Sequence, residues 1–546
     1  MTDETRVEWR EWGAAAFDEA ERDGKPVLLF LTATWCDDCH EMAAETFGEP
    51  RIAANVNDGF LPIRVDVDRR PRVRERYNMG GFPSTVFTTP SGDLISGATY
   101  LAPDGFRRIL DRVRETWDAK GAEAGRVPRA LAGNDTPDGP VGDYIEEHLA
   151  GQLESQWDSE FAGWGDDAKF PMPRTVEFAL KRDRYMATQT LDAVNRNLVD
   201  DDGGVFRYAA ARDWSDPARE KLLADNAGAL RAFANAYLHT GDETYRDVAD
   251  GIHGFLRESL WSGFAFGGSV GPDGDRVDLT GYAGGNALAA DALLTLYAYT
   301  DDDDARTSAE DALSFLRDDL VDDGRVVHFR DRDGDRDAAE TAGEAGTTGS
   351  ADAASEADGA ESDLLADAAR VTTAFCAAEQ TLGEGLGTAR RVADRAVDVL
   401  GDEAAFRDGP ATGAGLLDRP LRPIDGSVEF ADALVDLAAL TGDDDYRERA
   451  REAVGAFAGA TERMGAQVAG FGAVAARLTR RPLVVDVGAP AGSDLHRAAL
   501  RVADHEKVVV PASDRAPDGA ATLRGRDAAP ADSPDELMRQ VAAATE

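Results

Sequence analysis

The stretch Thr32-Ala33-Thr34-Trp35-Cys36-Asp37-Asp38-Cys39-His40-Glu41-Met42 contains two of the three cysteines of this sequence, separated by two residues. An apolar run at 27–31 predicts a strand before it, and the pattern after it predicts a helix. A helix beginning at Cys36 would place free N–H groups and a positive dipole end beside the sulfur, which stabilises a thiolate. Cys39 follows one turn later. We therefore predict a dithiol exchange site in which Cys36 attacks and Cys39 resolves the mixed disulfide.

Two other interpretations of the cysteine pair have less support. A zinc site needs four ligands, and the only other cysteine is Cys376, with no second Cys/His pair at ligand spacing. His40 adjoins Cys39 and would be poorly placed as a third ligand. A structural disulfide is not expected, because the N-terminus lacks the basic and apolar regions of a signal peptide. We expect no metal and no cofactor, and we expect Cys376 to be buried and inert.

A proline loop further along the chain supports the redox interpretation. The sequence Gly80-Gly81-Phe82-Pro83-Ser84-Thr85 precedes another apolar run, and an X-Pro bond is the one kind that readily becomes cis. Order and spacing over residues 8–118 resemble the thioredoxin fold, which implies that Pro83 faces the dithiol. We expect Trp35 and Phe82 to contact the substrate there. The remaining predicted elements are a strand at 61–67, a helix near 73–77, a hairpin turn at 90–93, a strand at 94–96 and a helix over 103–117.

The dithiol region departs from thioredoxin itself in two ways. Asp37-Asp38 replaces Gly-Pro between the cysteines, and two anions there should raise the pKa of Cys36. Thioredoxin has a buried Asp six residues before its first cysteine, whereas this chain has Phe30. Another group must therefore take the proton during resolution, and His40, Asp38 and water are the candidates.

Composition limits the classes of partner. The 546 residues are enough for two to four domains, and the formal net charge is −44 from 59 basic and 103 acidic residues. Acidity spread along the whole chain is typical of proteins from a salt-rich cytoplasm and argues against nucleic acid and anionic membranes as partners. No apolar run approaches the roughly 18 residues of a membrane span. We expect a cytoplasmic protein.

An internal repeat dominates the chain after about residue 141. Thr240-Gly241-Asp242 resembles Thr441-Gly442-Asp443, and weaker copies start at Thr300 and Thr381. Each copy lies between two helical patterns, which predicts helical hairpins of about 60 residues. Between Asp331 and Asp363 there is no Val, Ile, Leu, Met or aromatic residue. A segment of that composition cannot form a core, so we predict a disordered acidic insert at 331–363.

The predicted domain organisation follows from these patterns. We expect a thioredoxin-like α/β domain at 1–118, a linker at 119–141, an all-α (α/α)6 toroid of about six hairpins at 142–480, and a small α/β segment at 481–546. Aromatic, glycine-rich loops at 203–208, 261–266 and 281–282 would gather at one mouth of such a ring, or merely pack the ends of its hairpins.

This combination resembles a family that fuses a thioredoxin-like domain to an (α/α)6 glycosidase-like toroid, whose eukaryotic members are called spermatogenesis-associated thioredoxin-like proteins. The resemblance is carried by Trp9-Arg10-Glu11-Trp12-Gly13, residues 35–42, Lys169-Phe170-Pro171-Met172-Pro173, residues 204–208 and Asp225-Asn226-Ala227. It implies a redox-type first domain and a toroid similar to sugar epimerases and glycosidases. The chain lacks the His and Tyr that relatives carry within 217–227, so the resemblance supports thiol chemistry more than toroid chemistry. This chain would be a divergent, acidic, halophile-type member.

Sugar chemistry in the toroid would need carboxylates or an acid/base pair facing a pocket, and aromatic rings for stacking. Any single carboxylate among 103 acidic residues is more often solvated surface. The candidate carboxylates are Asp167, Asp213, Glu220, Asp225 and Asp425, and the candidate rings are Trp164, Tyr208, Trp214 and Tyr282.

Three functions remain open from the sequence. The first is a thiol–disulfide oxidoreductase acting on a protein or small-molecule disulfide, with a toroid that recruits the substrate. The second is a carbohydrate-active enzyme whose toroid binds a sugar and whose thioredoxin-like domain is accessory. The third is a non-catalytic scaffold.

Overall fold

A computed structural model describes residues 5–133, 136–331 and 360–545 of the chain. Two compact units can be distinguished. Unit 1 consists of residues 1–135 together with 271–278 and 407–421, and unit 2 consists of residues 136–270, 279–406 and 422–546. The first unit therefore includes two short segments that lie far from it in sequence.

A five-stranded mixed sheet forms the centre of unit 1, in the order β1-β3-β2-β4-β5. The central strand β2 is buried along its whole length and pairs in parallel with β3 and antiparallel with β4. This explains why β2 is an unbroken apolar run rather than an alternating one. The strands are β1 (Arg10–Glu11), β2 (Val27–Thr32), β3 (Leu61–Asp66), β4 (Ser84–Thr88) and β5 (Leu94–Ala98).

Five helices accompany this sheet. Gly24 ends the first in the left-handed conformation (φ 64°), and Pro50, Pro71 and Pro103 begin the third, fourth and fifth. Proline suits the first helical position because it lacks an N–H that would be unpaired there anyway. The helices are α1 (Ala14–Asp23), α2 (Asp37–Glu45), α3 (Pro50–Gly59), α4 (Pro71–Tyr77) and α5 (Pro103–Lys120).

Aromatic packing explains the phenylalanine at position 30. The Phe30 ring lies 5.6 Å from that of Trp9 and 4.9 Å from that of Phe47, and Phe47 in turn contacts Phe106. The buried carboxylate that thioredoxin has at this position is thus replaced by part of an aromatic core.

The segment 407–421 is bound to α4 through buried arginines. Arg76 Nη1 lies 2.6 Å from Asp408 Oδ2, and the Arg72 guanidinium donates to the carbonyls of Pro410 and Leu417 at 2.6 and 2.7 Å. The hydroxyl of Tyr77 accepts the N–H of Leu416. These bonds satisfy both the buried cations and the irregular backbone of the segment.

Two predicted boundaries differ from this arrangement. Residues 119–141 are not a plain linker, because short 3-10 turns form at Gly121–Ala124 and Arg129–Leu131, and Arg126 pairs with Leu94 at the edge of the sheet. The predicted toroid of residues 142–480 is interrupted by the two segments that belong to unit 1.

Unit 2 is a closed ring of six helical hairpins, which confirms the predicted toroid. The first and last helices of the ring, α6 and α17, pack together as the sixth hairpin. The inner helices are α7 (Pro173–Arg182), α9 (Leu223–Thr240), α11 (Ala283–Thr300), α13 (Leu365–Leu382), α15 (Ile424–Thr441) and α17 (Ala469–Thr479). The outer helices are α6 (Asp143–Ser155), α8 (Arg184–Asn197), α10 (Glu243–Phe255), α12 (Asp303–Phe315), α14 (Leu386–Leu400) and α16 (Asp444–Ala458).

The Thr-Gly-Asp repeat is the turn from an inner to an outer helix. Gly241 ends α9 in the left-handed conformation, and the Asp242 carboxylate caps α10 by accepting the N–H of Thr244 at 3.0 Å. The same turn recurs at Gly442 and Asp443. A left-handed residue followed by an aspartate cap is an efficient way to reverse the chain between helices.

Short strands connect the hairpins. The pairs are β6 (Tyr208–Ala209) with β7 (Pro217–Ala218), β11 (Val321–Asp322) with β12 (Arg325–Val326), and β14 (Gly401–Asp402) with β15 (Ala405–Phe406). A four-stranded sheet has the order β13-β10-β9-β8, with β8 (Lys221–Leu222), β9 (Gly267–Val270), β10 (Val277–Tyr282) and β13 (Phe329–Arg330).

Most of the predicted acidic insert, residues 332–359, lies outside the described residues. Its final residues contradict the prediction. Ser362 pairs with Val327, and Asp363 binds Arg395 at 2.8 Å. The prediction rested on the absence of apolar side chains. Backbone pairing and an ion pair need none, so composition could not reveal these contacts.

The chain ends in a small α/β segment, as predicted. Its three strands have the order β17-β16-β18, with β17 parallel and β18 antiparallel to β16. The elements are β16 (Val484–Val487), α18 (Asp494–Leu500), β17 (Val508–Val510), β18 (Ala521–Leu523) and α19 (Pro534–Thr545). No helix of the described chain has both the length and the apolarity needed to cross a bilayer.

Candidate functional site

The two cysteines lie at the N-terminus of α2, where the sequence predicted them. Cys36 is the N-cap, with its Sγ accepting the N–H of Cys39 at 3.2 Å, and Cys39 lies in the first turn. They form a disulfide with their Cα atoms 5.2 Å apart. Both residues are buried, Cys36 at 5% exposure and Cys39 at 1%. Free N–H groups and a positive dipole end therefore surround the predicted attacking atom.

The proline loop of unit 1 has the geometry expected beside a dithiol. The Phe82–Pro83 peptide bond is cis. The Phe82 ring packs edge-on against Trp35 with centroids 5.9 Å apart, and the Trp35 indole N–H donates to Asp68 at 2.8 Å. Phe82 thus packs against Trp35, which is itself only 5% exposed and directly precedes Cys36.

The imidazole ring of His40 forms a hydrogen bond with the backbone. Its Nε2 lies 2.9 Å from the carbonyl oxygen of Thr34, an acceptor, so this nitrogen donates. The contact connects α2 to the loop that leads into the dithiol. This hydrogen bond occupies Nε2 and leaves the predicted acid/base role of His40 to its other ring nitrogen.

Asp66, at the end of β3, is a residue that the sequence analysis missed. It pairs with Thr32 across the sheet, and Phe30 pairs with Thr85. The Thr85 hydroxyl contacts Met42 of α2, so these side chains share the face that α2 covers. Asp66 accepts the backbone N–H of Asp68, whose carboxylate in turn accepts the indole N–H of Trp35.

The environment of Asp66 favours its protonated form. Burial raises its pKa from 3.8 to about 7, and the charges of Asp68 and Asp278 add to this effect. Two backbone N–H groups, from Asp68 and Arg69, oppose it. A carboxyl group that titrates near neutrality is suited to proton transfer.

Arg276 forms an ion pair with Asp37, the residue between the cysteines. Arg276 belongs to the segment 271–278 of unit 1, and both side chains are partly exposed, 34% and 49%. The guanidinium offsets the anion that the sequence places next to Cys36. Sequence spacing could not reveal this pair, because the two residues are far apart in the chain.

Two predicted aromatic residues of the toroid are buried packing residues. Trp164 and Trp214 are 4% and 3% exposed, and their indole N–H groups donate to the carbonyls of Leu153 and Phe161. They surround the buried Lys169, which forms an ion pair with Asp158 at 2.9 Å. Indole rings fixed in the interior cannot stack on a sugar, so the expectation for both was wrong.

The other predicted rings have aromatic neighbours. Tyr208 stacks on Phe170 with centroids 5.0 Å apart, and Phe170 is 47% exposed. Tyr282 lies 5.6 Å from His328, whose Nδ1 is 2.7 Å from a carboxylate oxygen of Asp367. Asp167 is exposed on the surface of unit 2.

Asp225 and Asp425 are the predicted toroid residues found among the described residues that line the cavity at the first turns of the inner helices. This cavity has a volume of 420 Å³ and is also lined by Arg174 and Arg370. Burial raises the pKa of Asp225 from 3.8 to about 6. The structure therefore brings Asp225 and Asp425 together and leaves Trp164, Asp167, Tyr208, Trp214 and Tyr282 elsewhere.

A second cavity, of 130 Å³, is lined by charged side chains that form ion pairs with one another. Arg477 binds Asp432 and Asp436, and Arg231 lies 3.2 Å from Asp291 and 3.5 Å from Glu177. Groups that are paired in this way hold the inner helices together and are poorly available for chemistry.

Comparison with known families and proteins supports the thioredoxin-like assignment of unit 1. Residues 1–132 match a family described as "Thioredox_DsbH: Protein of unknown function, DUF255". The chain is 31% identical to human spermatogenesis-associated protein 20 over 292 residues, which cover 46% of this chain and 37% of that protein. It is 35% identical over 104 residues to thiol:disulfide interchange protein DsbD 1 of Pseudomonas aeruginosa, covering 18% of this chain and 17% of that protein.

The matched segments cover well under two thirds of the length of the curated relatives that have the longest matches to this chain. Among solved structures, cellobiose 2-epimerase from Spirochaeta thermophila matches 57% of this chain and 83% of its own, at 16% identity and a TM-score of 0.44. The family and sequence matches agree with a thioredoxin-like domain at the start of the chain.

Proposed function

We propose that this protein is a thiol–disulfide oxidoreductase. The observation that carries the proposal is the Cys36–Cys39 pair at the N-terminus of α2, accompanied by the cis Pro83 loop. A helix N-terminus stabilises the Cys36 thiolate, and Cys39 is close enough to resolve a mixed disulfide. The similarity of this region to disulfide interchange proteins supports the same conclusion.

The reaction is a two-electron exchange. The Cys36 thiolate attacks a substrate disulfide, one substrate sulfur leaves as a thiolate, and a mixed disulfide forms. Cys39 then loses its proton and attacks Cys36 Sγ. The second substrate sulfur leaves, the Cys36–Cys39 disulfide closes, and the substrate has become a dithiol. A reducing dithiol from another molecule regenerates the enzyme by the reverse exchange.

We assign the proton acceptor in the resolving step to Asp66. It lies on the sheet face covered by α2, and burial raises its pKa to about 7. The sequence leaves the proton acceptor open, because Phe30 stands where thioredoxin has a buried aspartate. We give this role to Asp66. A carboxylate with this pKa accepts a proton from a thiol more readily than an exposed carboxylate does.

The toroid would serve to recognise the substrate, which we expect to be a protein or small-molecule disulfide. A catalytic dithiol of this kind fits a reducing cytoplasm. Sugar turnover and a purely structural role stay predictions of the sequence. Sugar turnover lost support when Trp164 and Trp214 proved to be buried.

The test is catalysed reduction of insulin disulfides by dithiothreitol. The full chain should accelerate the reaction, and Cys36→Ser should abolish the acceleration because no attacking sulfur remains. Cys376→Ser is the matched control, since Cys376 is a buried free thiol whose pKa is raised by burial. Equal activity of Cys36→Ser and the unchanged protein would reject the proposal.

A further inference from the structure

The cavity at the first turns of the inner helices of unit 2 is large enough for a small molecule. Its volume of 420 Å³ lies within the usual range for ligand pockets of about 300–1,000 Å³. Much of its wall is apolar. The apolar residues that line it are Met172, Pro173, Leu288, Ile424, Val428 and Phe471.

Three arginines line the cavity, and each is paired with a carboxylate. Arg370 donates to Glu429 at 3.0 Å, and Arg174 lies 3.4 Å from the same carboxylate. Arg231 is bound by the carboxylates at the far end of the cavity. The pKa of Glu429 is lowered by these arginines, as expected for a carboxylate held in an ion pair. Each of the three arginines thus has a carboxylate partner within the protein, and Arg174 and Arg370 share Glu429.

Asp225 is different. Within the described part of the chain, its carboxylate forms no hydrogen bond and no ion pair. It lies in the first turn of α9, partly exposed to the cavity. The charge of Arg207 offsets part of the cost of burying this carboxylate, and that of Glu220 adds to it. A desolvated carboxylate that accepts no hydrogen bond is costly, and a ligand that donates to it would remove that cost.

We propose that this cavity binds a small molecule that carries a protonated amine on an apolar body, with Asp225 accepting the ammonium N–H groups. An ammonium group supplies both the opposite charge and the donors that the carboxylate lacks. The apolar wall accommodates the remainder of the ligand. A sugar fits less well, because among the described residues Phe471 is the only aromatic ring that lines the cavity.

The charged surroundings determine how binding depends on pH. The groups that face Asp225 are Arg207 and Glu220 from the preceding loop, Arg174 and Glu177 from α7, Arg370 from α13, and Asp425 and Glu429 from α15. Asp225 must be ionised to bind an ammonium group, whereas an alkylamine stays protonated up to about pH 10. Binding should therefore weaken as the pH falls through about 6.

The experiment is calorimetric titration of the full chain with hexylamine, hexanol and glucose. Hexylamine should bind at pH 8 and hexanol should not, because the alcohol offers the same apolar chain without the charge. Asp225→Asn should lower the affinity for hexylamine about tenfold or more, since it removes a charge-assisted hydrogen bond. The affinity of the unchanged protein should also fall between pH 8 and pH 5.

The matched control is Asp494→Asn, which removes an exposed carboxylate outside the cavity and should leave hexylamine binding unchanged. The affinities of the two proteins can be compared when Asp225→Asn shows the same thermal unfolding transition as the unchanged protein. The pH series uses only the unchanged protein, so it tests the proposal even where the variant does not fold. Hexanol binding as tightly as hexylamine, a pH-independent affinity, or glucose binding in place of the amine would each overturn the proposal.

Discussion

Arg276 provides the sharpest test of how the dithiol is tuned. It forms an ion pair with Asp37, which directly follows Cys36. Replacing Arg276 by Gln removes a positive charge from the neighbourhood of the Cys36 sulfur while preserving much of the side chain. The thiolate then loses a favourable interaction, so the pKa of Cys36 in the reduced protein should rise.

The magnitude follows from Coulomb's law. Because Arg276 and Asp37 are partly exposed, an effective dielectric constant of about 40–80 is appropriate. For charges about 8 Å apart this gives ~0.5–1 kcal/mol, or about 0.4–0.8 pKa units. Asp37→Asn should shift the pKa of Cys36 downward by a similar amount. The double variant should therefore titrate close to the unchanged protein.

The assay is the ultraviolet absorbance of the thiolate, followed against pH in the reduced protein. Arg276→Lys keeps the charge and should restore most of the original pKa, and Arg497→Gln is a control at a distant exposed pair. In about 1 M salt the Debye length is roughly 3 Å, so the shift should largely disappear. An Arg276→Gln protein whose Cys36 titrates unchanged at low salt would refute the reasoning.

Three further predictions concern stability. The folded pKa of Asp66, about 7, exceeds its ordinary value of 3.8, so its contribution to the free energy of unfolding is complete below pH 3.8 and is lost as the pH rises through 7. In urea unfolding measured against pH, the Asp66→Asn protein should not show this loss. Asp408→Ala should cost ~3–5 kcal/mol in the same assay, since the buried Arg76 loses its carboxylate partner and keeps only neutral carbonyl acceptors, and a cost below about 1 kcal/mol would contradict the importance of that ion pair. Asp242→Ala removes the cap of α10 and should cost ~1 kcal/mol, measured by thermal unfolding against Asp247→Ala, an aspartate further along α10, as control.

Local patterns with a fixed spacing were reliable guides to this fold. The cysteines at a predicted strand–helix junction and the Phe82-Pro83 pair identified unit 1, since both features depend on residues close in sequence. The Thr-Gly-Asp copies located the turns of the toroid, because a left-handed residue and a capping aspartate have few alternatives.

Contacts between distant segments could not be predicted in the same way. Asp66 is one of 103 acidic residues, and only the strand pairing shows that it lies on the face of α2. Arg276 meets Asp37 only after the segment 271–278 has joined unit 1. Trp164 and Trp214 were assigned to a sugar site because sequence alone does not distinguish a buried indole from one that lines a pocket.

The most direct test of the central claim is to trap the mixed disulfide. Cys39 resolves the intermediate, so Cys39→Ser should accumulate a covalent adduct through Cys36 that dithiothreitol releases. Cys36→Ser should accumulate none, because the proposed attacking sulfur at the N-terminus of α2 is then absent. The adducts are counted by non-reducing electrophoresis and mass spectrometry of protein expressed in cells. A Cys39→Ser protein that traps nothing above the level of Cys36→Ser would contradict the oxidoreductase assignment.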